Sequence, residues 1–254
     1  MQIKERRTKI LLAFFLLSDI DRSGSVTQFS NIVLNKQFEN LFELAINQKT
    51  SAAVAGLVRE GLFVKLSDQS EETYQLTEDG LYSLSLKFPY VRFLTSKWDG
   101  KWRILSYEIP ERKRELRDRL RREVAGWGLG PWHRSFWVTP HPIIENLRSL
   151  VKGNEEEQYI QAFEADHSFG DTEVLIEKVW GKSELDKKYR ELFKKWHDIL
   201  AQEEQKIIKL KTIIGAYVEV LRQDPGLPKE LIGEKWIGYE AFTIFKEIRT
   251  ILLS

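Results

Sequence analysis

Cysteine is absent from this chain of 254 residues, and methionine occurs once. Without a thiol there is no disulfide scaffold, no cysteine-ligated zinc finger and no thiolate nucleophile. Long hydrophobic runs are missing as well. The apolar stretch Ile10 to Leu17 is eight residues long, far short of the roughly 20 that cross a bilayer as a helix. The basic segment before it gives it the look of a signal peptide. The next residues, Ser18-Asp19-Ile20-Asp21-Arg22, are polar and offer no small-residue cleavage site. The run therefore predicts a buried first helix in a soluble, cytoplasmic protein with no membrane partner. An excess of one charge is lacking too, with 39 lysines and arginines against 38 aspartates and glutamates.

What is present is material for a core. The chain is 42% hydrophobic and 12% aromatic, with 8 tryptophans, which excludes a disordered protein. At roughly 100–200 residues per domain, the length allows one large domain or two to three small ones. The near-zero net charge conceals a polarity. Residues 1–100 hold 12 basic and 12 acidic side chains, residues 101–150 hold 11 and 6, and residues 151–254 hold 16 and 20. A basic middle in a neutral chain suits an anionic partner held on one surface.

Periodicity divides the chain into three parts. In the first, helices are expected over Thr8–Leu17, Glu39–Ile46 and Thr50–Glu60, with a turn-rich stretch around Ser23-Gly24-Ser25. Leu41, Phe42 and Ala45 share one face of the second helix. Asn47-Gln48-Lys49 reads as a polar turn, and Gly61 as a C-terminal stop. The period then changes to that of a hairpin, Leu62–Leu66 and Thr73–Leu76, around a polar loop at 67–72. Thr77 opens a further short helix. Helix, helix, short turn, helix and hairpin is the order of a winged helix-turn-helix.

In the second part, strands are expected at Trp102–Ile109, Ser135–Val138 and Tyr159–Ala165. Helices at Glu111–Val124 and Pro142–Val151 lie between them, and Gly126, Gly128, Gly130 and Pro131 act as breakers. This alternation suggests a small ferredoxin-like sandwich. The third part is helical. Ser183 and Asp186 read as a capping box, an apolar stripe runs from Leu185 to Leu200, and helices are expected at Ile207–Leu221 and Tyr239–Leu252 around a turn between Pro225 and Pro228. The expected fold class is α+β: an N-terminal winged helix-turn-helix over 1–95, a central ferredoxin-like domain over 97–166 and a C-terminal helical domain over 171–254.

Two segments are candidates for function. The first is the start of the third helix, Gln48, Lys49, Thr50, Ser51 and Ala52, where such helices touch bases. Serine and threonine reach phosphates or bases, small side chains allow close approach, and no arginine or asparagine is there for a bidentate base contact. The competing reading is a winged helix used only for packing. The second is the basic helix, with seven basic and three acidic residues from Glu111 to Arg122. Helical spacing puts Arg114, Arg117 and Arg121 on one flank, either facing an anion or laced into ion pairs with Glu115, Asp118 and Glu123. The four histidines, His133, His141, His167 and His197, include no helical zinc pair. His167 lies near Asp166 and Asp171, as a site or as a plain loop. No P-loop or nucleophile elbow occurs, and the glycines at 126, 128 and 130 come after a helix, the wrong context for a dinucleotide.

Several of these words together resemble the PaaX family of bacterial transcriptional repressors of phenylacetic acid catabolism. They are Trp98-Asp99-Gly100-Lys101-Trp102-Arg103, Tyr107-Glu108-Ile109-Pro110-Glu111, Leu116 to Arg122, Gly128 with Gly130, and Trp137-Val138-Thr139-Pro140. The tail agrees, in Asp224-Pro225, Leu227-Pro228, Leu231, Trp236, Gly238 and Phe245. The resemblance implies a homodimer that binds double-stranded DNA through the winged helix and is released by an acyl-CoA thioester effector. It also implies a middle domain similar to a small CRISPR-associated nuclease and integration subunit. The family's recognition helix usually carries arginine and glutamine, where this chain has Ser51, Ala52 and Gly56. The related nuclease has an aspartate at the end of its first strand, where this chain has Glu108.

The expectation is a DNA-binding regulator, not an enzyme, with no cofactor or metal. Arg114, Arg117 and Arg121 would meet the effector's phosphates or a second stretch of DNA. A metal-dependent nuclease using Glu108 and a protein-interaction scaffold are the alternatives.

Overall fold

The structure, a computed structural model, describes residues 5–20, 30–67, 72–94 and 97–254. The expected turn at 23–25 and the middle of the polar loop expected at 67–72, with Asp68 and Glu71, lie outside the described residues.

Helix α1 (Arg6–Leu17) is buried at every position from Thr8 to Leu16. A helix apolar on all sides must be covered on all sides, and two adjacent phenylalanines show how. Phe14 stacks on Phe63 at 4.4 Å between ring centroids, whereas Phe15 stacks on Phe242, near the other end of the chain, at 6.0 Å. The end of the helix is closed from the same distant segment. Arg249 Nη1 donates to the carbonyls of Leu16 and Ser18 at 2.9 and 3.0 Å, and Lys246 Nζ to that of Ile20 at 3.0 Å. Cations there complete the unpaired carbonyls and oppose the helix dipole.

A short strand β1 (Ile32–Val33) precedes helices α2 (Lys36–Phe42) and α3 (Gln48–Arg59). The second helix begins and ends earlier than its apolar pattern suggests. Asn35 caps it by accepting from Phe38 N–H at 3.0 Å, and Glu43 ends it in the left-handed conformation, so Ala45 falls outside it and is exposed. Strands β2 (Phe63–Ser67) and β3 (Glu72–Leu76) form the hairpin, and β1 adds to β3, for a sheet in the order β1-β3-β2. Helix α4 (Glu78–Ser85) starts at Thr77, whose hydroxyl accepts from Gly80 N–H at 3.0 Å.

The middle segment builds one antiparallel sheet from β4 (Lys101–Tyr107), β5 (Gly130–His133), β6 (Phe136–Thr139) and β7 (Ile160–Asp166), in the order β5-β6-β4-β7. Apolar residues on both faces of β4 suit its inner position, paired with β6 on one side and β7 on the other. Leu105 and Tyr107 join the core formed with α5 (Arg114–Gly126) and α6 (Ile144–Val151), while Trp102 packs with Val138 and Val179. The segment of glycine breakers thus resolves partly into a strand, β5.

The remaining helices are α7 (Thr172–Trp180), α8 (Lys182–Ala201), α9 (Lys206–Leu221), α10 (Lys229–Ile232) and α11 (Ile237–Leu253). The expected capping box at Ser183 does not form. Gly181, at φ 62°, is at once the C-cap of α7 and the N-cap of α8, and Ser183 turns its N–H and hydroxyl to the Glu177 carboxylate instead. These helices share one continuous hydrophobic core with α1 to α4.

Where the segments meet, the turn at 224–228 is locked in place. Asp224, fully buried, accepts from Tyr189 O–H at 2.7 Å and from Gly226 N–H at 2.8 Å. Gly226 has φ 62°, and a Cβ there would lie 2.0 Å from the Pro89 carbonyl oxygen. Gly128 presses on Pro89 and Pro225 from the other side. His141 Nε2 meets the Pro225 carbonyl at 3.2 Å, and Tyr90 O–H donates to that of Gly238 at 2.8 Å. Burial, with Arg92 nearby, holds the His141 imidazole down to about 3, so it is neutral here.

Candidate nucleic-acid interface

Helix α3 begins two residues before the expected start, because Asn47 is its N-cap and not part of a free turn. Its side chain accepts from Thr50 N–H at 3.2 Å. From that start the helix divides into two faces. Thr50, Val54, Gly56 and Leu57 are buried; Gln48, Lys49, Ser51, Ala52, Ala55 and Arg59 are exposed. Thr50, expected on the exposed side, is the correction. Its hydroxyl donates to the Ala45 carbonyl at 2.5 Å and accepts from Arg6 Nη1 at 2.7 Å, so it pins the turn before the helix. The exposed face extends farther than its first turn, to Arg59, a basic residue at i+11 from Gln48. The alternation of buried and exposed residues carries that signal once the start of the helix is known.

The exposed residues are short or flexible, and Lys49 and Arg59 bring positive charge. Next to them, on the described hairpin strands, Lys65 is paired with Glu72 at 2.5 Å, and Glu72 also accepts from Tyr74 O–H at 3.0 Å. At the other end of the helix Arg7 and Glu60 form an ion pair. This surface can meet an extended anion along one side of α3.

The basic helix α5 is preceded by a single 3-10 turn over Glu111–Lys113. Its expected flank is engaged within the protein. Arg117 pairs with Glu111 at 2.6 Å, and Arg114 with Asp118 at 3.5 Å. Arg121 donates through Nε to the Tyr107 hydroxyl at 2.7 Å. Ion pairing is one of the two expected roles of this flank, although the acidic partners differ in part. Neither Glu115 nor Glu123 pairs with these arginines; Glu123 meets Lys87 at 3.9 Å. A cleft of about 720 Å³ opens instead among Arg112, Arg114, Arg119 and Arg122, with the carboxylates of Glu115 and Glu155 also in its lining. Arg119 is paired with Glu156, but Arg112 and Arg122 have no partner among the described residues. Of the three arginines singled out in the sequence, only Arg114 lines this cleft. Arg112 reaches the cleft from the 3-10 turn before the helix and Arg122 from α5 itself.

Glu108 is exposed just beyond the end of β4. Among the described residues no group of three or more histidines, aspartates or glutamates is placed to hold a metal ion, and no helix is long and apolar enough to cross a membrane. His141, the one histidine in the core, is part of the junction at 224–228.

No curated protein matches the chain. The solved structure of an uncharacterized protein, Rv0674, from Mycobacterium tuberculosis is 18% identical to it, with a TM-score of 0.48 over 87% of this chain and 92% of that one. Two family descriptions match, the PaaX protein central Cas2-like domain over residues 95–176 and the PaaX-like protein C-terminal domain over residues 180–254. Together they span well over half of the sequence, including the sheet of β4 to β7 and the helices that close on the 224–228 turn, and the chain accordingly belongs to the PaaX family of transcriptional regulators.

Proposed function

We propose that this regulator is a homodimeric repressor that binds double-stranded DNA through α3 and is released by an acyl-CoA thioester. In this reading residues 1–95 are a winged helix-turn-helix, 97–166 a ferredoxin-like domain and 171–254 a helical domain. The observation that carries it is the two-faced α3. One face is sunk into the core, and the other offers Gln48, Lys49, Ser51 and Ala52 to a groove. Element order supports the assignment: helix, strand, helix, helix, hairpin, with β1 paired on the hairpin, suits a winged helix. Thr50 acts from beneath as the residue that sets the angle of the helix, and Arg59 joins the contact surface.

The effector's phosphates sit in the cleft of Arg112, Arg114 and Arg122, whose positive charge is only partly met by neighbouring carboxylates. Arg117 and Arg121 do not line that cleft and are held instead by Glu111 and the Tyr107 hydroxyl. A titration with promoter fragments from the source genome tests the proposal. Affinity falls steeply with added salt, as it must when several phosphates displace counterions, and falls again when phenylacetyl-CoA is added. Binding that is absent, or indifferent to salt, contradicts it.

A further inference from the structure

Glu43 is the one non-glycine residue with positive φ among the described residues, at φ 51° and ψ 44°. It sits in the turn between α2 and α3, where the direction of α3 is decided. Left-handed backbone is costly for a side chain with a Cβ, roughly 1–2 kcal/mol, so something else must favour it here. Among the described residues, α1 and α9 both hold this residue. Lys9 of α1, itself buried, donates from Nζ to the Glu43 carbonyl at 3.1 Å. Lys211 of α9 meets the Glu43 carboxylate at 2.7 Å, and is foremost among the contacts that hold this carboxyl down to about 2. Helix α2, which ends at Glu43, packs on α9. Two residues on, the Ala45 carbonyl accepts from Thr50. A continuous path of contacts therefore runs from α9 through the turn to the first turn of α3.

We infer that Lys211 and Glu43 are positioning residues, through which the C-terminal helices aim α3. This gives the C-terminal helices a part in DNA reading although they contribute no residue to the exposed face of α3. Its affinity arm rests on the reading of α3 as the DNA-binding helix; its structural arm does not. A movement of α9 would turn α3 without any ligand touching α3.

The test uses the full chain with three substitutions: Lys211→Gln, Lys211→Arg and Glu43→Asn, asparagine being tolerant of left-handed backbone. Two quantities are read, amide hydrogen exchange over residues 44–52 and affinity for duplex DNA. Both Lys211→Gln and Glu43→Asn raise exchange in that segment, by about two- to five-fold for an exposed ion pair, and both weaken DNA binding by a similar factor. Lys211→Arg keeps the native values. The signs are decisive. If charge near DNA were all that mattered, Lys211→Gln would weaken binding and Glu43→Asn would strengthen it, and that result overturns the inference. Unchanged exchange in both variants overturns it as well. If the native chain binds no DNA, the regulator reading fails and the exchange measurement alone decides the positioning claim.

Discussion

The turn at 224–228 and the exposed face of α3 are both short, and physically they are opposites. In the turn, each distinctive residue is fastened: Asp224 by Tyr189 and the Gly226 N–H, Pro225 by His141, Gly226 by the Pro89 carbonyl a Cβ could not avoid. On α3, Gln48, Lys49, Ser51 and Ala52 face outward. The first region is where three stretches of chain are held in one arrangement. The second is where a partner can be met. The family words of the tail, Asp224-Pro225 and Leu227-Pro228, lie in the first kind of place, and the proposed DNA contact lies in the second.

If that contrast is right, damage to the turn acts on stability and damage to α3 acts on binding. The largest effect is expected at Gly226. Gly226→Ala places a Cβ against backbone in a left-handed conformation, costing about 3 kcal/mol or more. Thermal unfolding of the variant should start about 6–12 °C lower. A melting temperature within 2 °C of native, on the order of less than 1 kcal/mol, would show that the junction yields easily.

The next effect is a pH dependence. His141 is held neutral down to about 3 in the folded protein, whereas in the unfolded chain it takes a proton near its ordinary value of about 6.5. Its stabilising contribution is therefore whole above pH 6.5 and is lost as pH falls from there toward 3, by about 2 kcal/mol at pH 5. Asp224, whose carboxyl burial pushes up, works in the opposite direction. Comparison with His141→Asn isolates the histidine: chemical denaturation at pH 7 and pH 5 should show a smaller loss on acidification in the variant. Equal slopes in the two proteins would remove His141 from the account.

Thr50 belongs to both regions and sharpens the comparison. Thr50→Val leaves the Ala45 carbonyl and the Arg6 guanidinium without their partner, for a cost of about 1–2 kcal/mol, and it should weaken DNA binding as well because α3 loses its anchor. Denaturation midpoints and DNA titrations together check this. A loss of stability with unchanged affinity would make Thr50 a packing residue alone. The smallest effect on stability is expected on the outer face: Ser51→Ala and Lys49→Gln stay within about 0.5 kcal/mol of native, while DNA affinity drops. Melting curves that shift by much more would mean that this face packs against something.

Much of the secondary structure is legible in the residues themselves. Eight apolar residues in a row predict the buried run of α1, and apolar residues on both sides predict the inner place of β4. The parts that are not legible depend on distant chain. Why α1 needs apolar residues on every side becomes clear only when Phe15 is seen on Phe242. The early end of α2 depends on Glu43 adopting a left-handed backbone, which an acidic residue rarely signals and which Lys9 and Lys211 support from elsewhere. Ser183 has the pattern of a cap, yet Gly181 takes that position and a glutamate one turn back claims the serine. In the candidate site the exposed residues of α3 can be read from helical spacing except for Thr50, which a polar side chain places outside and two hydrogen bonds, one local to Ala45 and one long-range from Arg6, place inside. The α5 flank is readable as charge, but which arginines stay open depends on acids at 111 and 156 and on Tyr107, contacts that helical spacing does not carry.

The most direct test of the central claim is the salt dependence of duplex DNA binding by the native protein and by Lys49→Gln. The account predicts that log affinity falls linearly with log salt for both, and that the slope for Lys49→Gln is shallower by about 1, the loss of one phosphate contact, while the melting temperature is unchanged. Native binding with the same slope as Lys49→Gln, or no native binding at all, would contradict the claim that the outward face of α3 is what this protein presents to DNA.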